Sequence, residues 1–267
     1  MKNLLIGVCD NAEKNIDKIL LWKKSFESVV DNGEVVLIAF NPNVNDIIAL
    51  ETSNITYHTV TEHSSETVNN LRLLHVYNFL RDNRYNYSKV LYTDVFDVAF
   101  LKDPFQKMDF STYELFIAGE GILHKEEPWN TDVMNKCFPK YTQLLKDQEI
   151  YCSGVIGGTP EQLSTWLYEM NKISLHSKKG HDIEDQAAMN ILVHHYLNNQ
   201  LKKFNVTDNW CLHMATGGPT EFFESWGFKT AILRNYNMVP KWKDYDIVHQ
   251  FNRVPNIHKQ IKEMYEL

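Results

Sequence analysis

Short apolar runs alternate with stretches of helical periodicity through the first half of the chain. The runs at 4–8 and 35–40 fit buried parallel strands, because polar residues bound them. Further strands are predicted at 57–60, 89–93 and 114–118. Between the first two runs, and again over 73–80, apolar residues recur at the spacing of a helix face. This β-α-β-α-β order predicts an α/β fold with a largely parallel sheet and right-handed crossovers.

The second half of the chain is more mixed. A short strand is predicted over 153–158, and Thr159 followed by Pro160 marks the start of a helix. Asp182 is predicted to cap the next helix, and the order loosens after about residue 203 into short strands and loops. Since there is neither a linker nor an internal repeat, residues 1–267 are predicted to form one domain.

Composition narrows the class of protein. The chain is 43% hydrophobic and 23% charged, which is ordinary for a globular protein, and its net charge of -7 argues against a nucleic-acid partner. No apolar run reaches the roughly 20 residues that span a bilayer, and the first apolar segment is too short for a signal peptide. The four cysteines are widely spaced and contain no C-x-x-C pair, so we expect reduced thiols and a cytoplasmic location.

Two carboxylates follow the run at 89–93 directly. Asp94 and Asp97 would lie beyond the carboxyl end of a strand, which is where open α/β sheets bind ligands. Two acids at such a point can hold a divalent cation and, through it, a diphosphate. Residues i and i+3 of a strand face opposite sides, so both acids reach one cation only if the chain turns at 95–96. The alternative is that they cap a turn.

Further candidates come from the C-terminal half. His249 follows a short apolar run and is either a ligand, with imidazole favouring Mn²⁺ over Mg²⁺, or a hydrogen-bonded structural residue. Arg253 could clamp a phosphate oxygen or form a surface ion pair. Ser153 and Gly154 could approach a ligand closely, because glycine has no side chain to obstruct it.

Three further charged residues are candidates. Arg72 lies between two leucines of a predicted helix, so it either points towards a ligand or buries only its stem. Asp185 lies in a predicted first turn, where acids favour the helix dipole, but it could also act as a base or hold sugar hydroxyls. Glu120, at the end of the run at 114–118, is a similar candidate.

Four segments, in this order along the chain, resemble GT-A-fold glycosyltransferases. They are T-D-x-x-D-V with Asp-Pro-Phe within 89–105, C-S-G-V-I-G-G-T at 152–159, Asp185-Gln186 with Asn190, and V-H-Q-F-N-R at 248–253. The resemblance implies a Rossmann-type, mostly parallel sheet flanked by helices, with a smaller mixed β region in the C-terminal half. It also implies a nucleotide-binding half at about 1–110 and an acceptor and sugar half at about 111–267.

The activity that the resemblance implies is transfer of a sugar from a nucleoside-diphosphate sugar, UDP-linked by preference, to a hydroxyl of a glycan or lipid-linked acceptor. Asp94, Asp97 and His249 would hold Mn²⁺ or Mg²⁺, and Asp185 would be the catalytic carboxylate. The donor would contact these residues: Val8, Cys9, Asp10, Arg72, Asp94, Ser153, Gly154, Gln186 and Arg253. The acids are one residue further apart than in the usual Asp-x-Asp, which leaves open which one is the direct ligand.

Rival functions differ in the residues that they need. A sugar-1-phosphate nucleotidyltransferase carries a Gly-rich loop with a basic residue after the first strand, and residues 7–11 offer none. A metal phosphatase would place its acids after the first strand. A nucleotide-sugar or carbohydrate-binding protein without turnover stays open. A lipid-linked acceptor would place the protein at a membrane surface, although no basic amphipathic helix is evident.

Overall fold

The computed structural model describes residues 1–62, 68–178, 184–195, 200–214 and 242–266. The predicted helix cap Asp182 lies outside the described residues. Helices are α1 (Ile16–Glu27), α2 (Val44–Thr52), α3 (Val68–Asn83), α4 (Pro128–Cys137), α5 (Pro139–Leu145), α6 (Pro160–Leu175), α7 (Glu184–His195) and α8 (Pro255–Met264). In this part of the chain no helix is long and apolar enough to cross a bilayer.

The larger sheet has seven strands among the described residues. They are β1 (Lys2–Cys9), β2 (Gly33–Phe40), β3 (Tyr57–Val60), β4 (Tyr87–Thr93), β6 (Leu115–Leu123), β7 (Glu149–Gly158) and β8 (Leu201–Phe204), in the spatial order β3-β2-β1-β4-β7-β6-β8. Only β7 is antiparallel to its neighbours. The predicted fold class, a mostly parallel sheet flanked by helices, is confirmed.

One face of this sheet packs against α1. The alternation of strand side chains sends Leu5, Leu37 and Leu91 to this face, where Trp22 and Phe26 of the helix cover them. The Trp22 Nε1–H also donates to Thr93 Oγ1 over 2.8 Å, which fixes the helix to the last residue of β4. The end of β4 is therefore held rigidly from this side.

The opposite face packs against α3, α6 and α7. Leu4, Ile6 and Val90 project to this side and contact Leu73 of α3 and Trp166 of α6 within one hydrophobic cluster. The predicted helical face over 73–80 is thus the buried face of α3. The predicted strand at 153–158 is the second half of β7, which is longer than expected and runs antiparallel between β4 and β6.

A three-stranded sheet forms the smaller mixed β region. It consists of β5 (Val98–Phe100), β9 (Cys211–His213) and β10 (Ile247–His249), with β10 in the middle, antiparallel to β5 and parallel to β9. It packs beside α1, and the rings of Phe26 and Phe100 meet edge to face with centroids 5.3 Å apart. Since β5 begins shortly after β4 ends, the small sheet lies next to the carboxyl end of β4.

Candidate active site

A cleft of about 620 Å³ opens at the carboxyl ends of β1 and β4. The predicted site residues come together here, because all of them except Asp185 line this cleft. Val8, Cys9 and Asp10 lie at the end of β1, and Arg253 lies exposed at the other side, after β10. Burial, together with the charges of Asp10 and Asp46, raises the pKa of the Cys9 thiol to about 12, so it is a neutral contact at physiological pH.

Asp94, Asp97 and His249 form the centre of the cleft, and we call them the cation trio. The chain bends at residues 95–97, which meets the condition that both acids face one point. His249 Nε2 lies 3.2 Å from Asp94 Oδ2 and 3.6 Å from Asp97 Oδ1, and one ligand atom from each residue falls within 4.8 Å of the others. Two carboxylates and an imidazole are a donor set that suits Mn²⁺.

Backbone hydrogen bonds join the trio to both sheets. The Asp94 N–H donates to the Gly154 carbonyl over 2.8 Å, and the Gln250 N–H donates to the Asp97 carbonyl over 2.7 Å. The first bond ties the end of β4 to β7 of the larger sheet. The second ties the bend to the end of β10, so the ligand side chains are positioned by backbone from three strands.

Gly154 makes room for this convergence. A Cβ atom added there would lie 2.5 Å from His249 Cε1 and 2.6 Å from Asp94 Oδ2, closer than real Cβ contacts come. Both neighbours belong to the trio, and both are held from other elements. Any side chain at position 154 would therefore push two of the trio's residues apart.

Residues of the small sheet and of β7 orient His249 on the side of its ring that faces away from the aspartates. Its Nδ1 lies 2.9 Å from His213 Nδ1 and 3.6 Å from Cys152 Sγ, while Nε2 faces the two aspartates. Burial lowers the pKa of His249, but Cys152, Asp97 and Asp94 outweigh burial and raise it well above its usual value. Without a cation His249 is therefore protonated, and a divalent cation at the trio would displace the proton on Nε2 while Nδ1–H donates to His213.

The role of His213 was missed by the sequence analysis. Nothing in the order of residues connects positions 213 and 249, which lie side by side only because β9 and β10 pair in parallel. A buried pair of histidines can be recognised only after the register of the small sheet is known.

Arg72 joins the trio to Asp185. Its guanidinium Nη1–H donates to Asp94 Oδ1. Its Nε–H donates to Asp185 Oδ2 over 2.9 Å, and its Nη2–H donates to the same oxygen. Burial opposes ionisation of Asp94, yet Arg72 and His249 outweigh it and hold the pKa of this carboxyl well below its usual range. Asp94 is thus a charged carboxylate across the physiological range of pH.

Asp185 is fully buried and lies behind the cleft wall. One of its carboxylate oxygens takes the Arg72 guanidinium, and the other accepts the Gln186 N–H over 2.8 Å. Gln186 itself lines the cleft, and its Oε1 accepts the Ser153 N–H over 2.9 Å. The role of Asp185 as the catalytic carboxylate stays a prediction.

Glu120 of β6, a candidate from the sequence, also lines the cleft. Three further lining residues at the start of α4 were not selected by the sequence analysis: Glu127, Trp129 and Asn130. The signal in the sequence was only Glu127-Pro128, a capping acid before a proline at the first helical position, and that pattern indicates a helix start without pointing to a ligand.

Comparison with known proteins gives a likeness in structure alone. No family model and no curated protein matches the sequence. Among solved structures, the galactosyltransferase LgtC, determined in complex with donor and acceptor sugar analogues, superposes with a TM-score of 0.54 at 13% sequence identity. The match covers 98% of this chain and 95% of LgtC. At this identity the likeness establishes a GT-A-like fold and leaves the chemistry to the geometry of the site.

Proposed function

We propose that this protein is a metal-dependent glycosyltransferase that moves a sugar from a nucleoside-diphosphate sugar to an acceptor hydroxyl. The observation that carries the proposal is the convergence of two aspartates and a histidine on one point of a large cleft, at the strand ends of a GT-A-like fold. The LgtC structure, which holds donor and acceptor sugar analogues, supports the same class of reaction.

Both halves of the chain would contribute to donor binding. Val8, Cys9 and Asp10 at the end of β1 would contact the base and ribose, and the trio would lie at the diphosphate. Arg253 would donate to a phosphate oxygen, since a guanidinium matches phosphate geometry. The base would be uracil by preference, and residues 1–110 would form the nucleotide-binding half of a single domain.

The difficult step is departure of the nucleoside diphosphate, because negative charge develops on the leaving oxygen. A divalent cation at the trio, Mn²⁺ or Mg²⁺, would stabilise that charge as a Lewis acid. The chain itself fixes the trio before any substrate arrives, through Arg72, His213 and the backbone bonds to Gly154 and Gln250. Such preorganisation lowers the cost of reorganising dipoles during the reaction.

Asp185 has a defined part in this arrangement. It holds Arg72 against Asp94, so that a positive charge would lie beside the diphosphate. To take a proton from an acceptor hydroxyl it would first have to exchange Arg72 for the substrate. The acceptor would be a glycan or a lipid-linked sugar, as in surface-polysaccharide synthesis, and the protein would act in the cytoplasm, at a membrane surface where the acceptor requires it.

The test is metal-dependent binding followed by turnover. Thermal unfolding should be measured with UDP, GDP and other nucleoside diphosphates, each with and without Mn²⁺. We expect stabilisation by one nucleotide only when the cation is present, because diphosphate and trio are linked through it. Release of free nucleotide from a panel of donor sugars should then be lost in Asp97→Ala and kept in a matched surface variant, Asp132→Ala.

Three other outcomes would assign the site differently. Equal stabilisation with and without cation would indicate a nucleotide-binding module that needs no metal. Cation-dependent nucleotide binding without turnover of any donor sugar would favour a non-catalytic nucleotide-sugar-binding protein. Formation of a nucleotide sugar from a sugar phosphate and a nucleoside triphosphate would favour a nucleotidyltransferase.

A further inference from the structure

A second part of the cleft lining differs in chemistry from the cation trio. We call it the Trp129 wall and define it by Glu120, Glu127, Trp129 and Asn130. In the larger sheet β7 separates β4, which leads into the trio, from β6, which carries Glu120. Two strand spacings amount to about 10 Å. The Trp129 wall therefore starts two strands away from the trio in the sheet.

A continuous hydrogen-bond network holds this wall in place. Gln186 Nε2 donates to Asn130 Oδ1 over 3.2 Å and to Glu120 Oε1 over 3.4 Å, while its Oε1 accepts from Ser153. Asn130 in turn donates to Glu127 Oε2 from its backbone N–H over 2.6 Å and from its side chain over 2.8 Å. Polar groups fixed in this way present oxygens to the cleft in defined positions.

Trp129 adds an aromatic surface to these oxygens. It lies in the first turn of α4, where Glu127 caps the helix by accepting the Trp129 N–H over 3.3 Å. The side chain lines the cleft and is 41% exposed, whereas Trp22 and Trp210 are fully buried in the core. An accessible indole beside carboxylate acceptors fits a sugar ring, which offers C–H groups to the ring face and hydroxyls to the oxygens.

The two sides of the cleft also differ in charge. Among the described residues that line it, the guanidinium groups are those of Arg72 and Arg253, and both belong to the side of the trio. The Trp129 wall carries two carboxylates, Glu120 and Glu127, that are almost fully buried. A phosphate or carboxylate placed against it would meet like charge in a poorly solvated site, which is unfavourable.

We infer that the Trp129 wall binds the acceptor, and that the acceptor presents an uncharged or amine-bearing sugar ring to it. This inference rests on the proposed function, because it assigns the second substrate of the same reaction. It excludes acceptors whose accepting sugar is a uronic acid or a sugar phosphate, and Glu120 is the residue that sets this preference.

Binding of simple sugars tests the inference without knowledge of the natural acceptor. The protein is saturated with Mg²⁺ and with the nucleoside diphosphate that stabilises it. Saturation-transfer NMR titrations then compare the methyl glycosides of glucose, galactose, glucosamine and glucuronic acid. The variants are Trp129→Ala, Trp129→Phe and Glu120→Gln. Tyr168→Ala is the matched control, since Tyr168 is also 41% exposed but lies on α6 and does not line the cleft.

We expect one or more of the uncharged or amino glycosides to bind, and the glucuronide to bind at least about tenfold more weakly. Trp129→Ala should lower the affinity for the bound glycoside about tenfold, while Trp129→Phe retains most of the affinity and Tyr168→Ala leaves it unchanged. Glu120→Gln keeps the shape of the side chain and removes its charge. This variant should therefore bring the glucuronide close to the affinity of the uncharged sugars.

The outcomes separate this inference from the proposed function. Tight binding of the glucuronide to the wild-type protein, failure of every glycoside to bind, or binding unaffected by Trp129→Ala would overturn the acceptor assignment. Metal-dependent nucleotide binding and donor turnover would still support the transferase in those cases. If no nucleoside diphosphate stabilises the protein, the proposed function fails and the acceptor assignment fails with it.

Discussion

The larger and the smaller sheet both supply the cation trio, but they hold their ligands in different ways. Asp94 and Asp97 follow β4, which is central in a sheet covered by helices on both faces. His249 ends β10, a strand of three residues whose two partners are equally short. The small sheet obtains its rigidity from packing beside α1 and under α8, where Val248 and Ala99 meet Ile257 and Ile261.

The difference shows how a short sheet can position a ligand. Strands of three residues contribute few hydrogen bonds, so His249 depends on its side-chain contacts with His213 and Cys152 and on the bond from Gln250 to Asp97. The aspartates depend instead on the long strand that precedes them. Variants on the two sides should therefore affect cation binding and global stability in different proportions.

Removing the ligand from the small sheet should have the largest effect. In His249→Leu a side chain of similar volume fills the site, but one of the trio's donors is lost. We expect Mn²⁺ affinity in the presence of nucleotide to fall by about 100-fold or more, because loss of a direct ligand should cost at least as much as the roughly 10- to 100-fold that loss of an outer-shell partner costs. Isothermal titration with Mn²⁺ in the presence of nucleotide measures this. His258→Leu on α8 is the control, and an equal loss in that variant would contradict the assignment.

Gly154→Ala should displace two residues of the cation trio. The added Cβ would press on His249 Cε1 and Asp94 Oδ2, so cation affinity should fall by about 10- to 100-fold, in the range seen when the supports of a ligand are disturbed. Gly157→Ala is the matched control on the same strand. Its Cβ would meet the flexible end of Met108, which can move, so that variant should retain cation binding. Similar losses in the two variants would mean that Gly154 has no special role.

His213→Leu should weaken the cation site less than loss of a direct ligand does. Without His213 Nδ1 the orientation and tautomer of His249 are no longer fixed, and we expect a loss of about tenfold in Mn²⁺ affinity. His213→Asn can still accept a hydrogen bond and should recover part of that loss. If His213→Asn and His213→Leu behave alike in Mn²⁺ titrations while both remain folded, His213 serves packing only.

Tyr265→Phe should have the smallest effect and should leave the site unchanged. The Tyr265 hydroxyl donates to the Phe100 carbonyl of β5 over 2.6 Å and links the end of the chain to the small sheet. Its loss should cost about 1 kcal/mol of unfolding free energy, or a decrease of roughly 2–4 °C in Tm for a chain of this size. Differential scanning calorimetry measures the shift. If Mn²⁺ affinity fell as well, the position of His249 would depend on the contact between Tyr265 and the small sheet.

The sequence by itself determined the parts of this protein that depend on local patterns. Apolar runs bounded by polar residues predicted the parallel strands, and the spacing of Leu73, Val76 and Leu80 predicted the buried face of α3. Asp94 and Asp97 were found because two acids directly after a buried run carry the signal within a few residues. Thr159 was predicted to cap α6, and its hydroxyl accepts the Gln162 N–H as expected.

The tertiary structure decided what depends on distant pairing. The antiparallel insertion of β7 between β4 and β6 brings Gly154 to the trio, and the register of β9 against β10 brings His213 to His249. The ion pairs of Arg72 with Asp94 and Asp185 join three elements, and the Trp129 wall exists because the first turn of α4 lines the cleft. Such contacts arise from strand order and register, which are properties of the whole packed core and leave no local pattern in the chain.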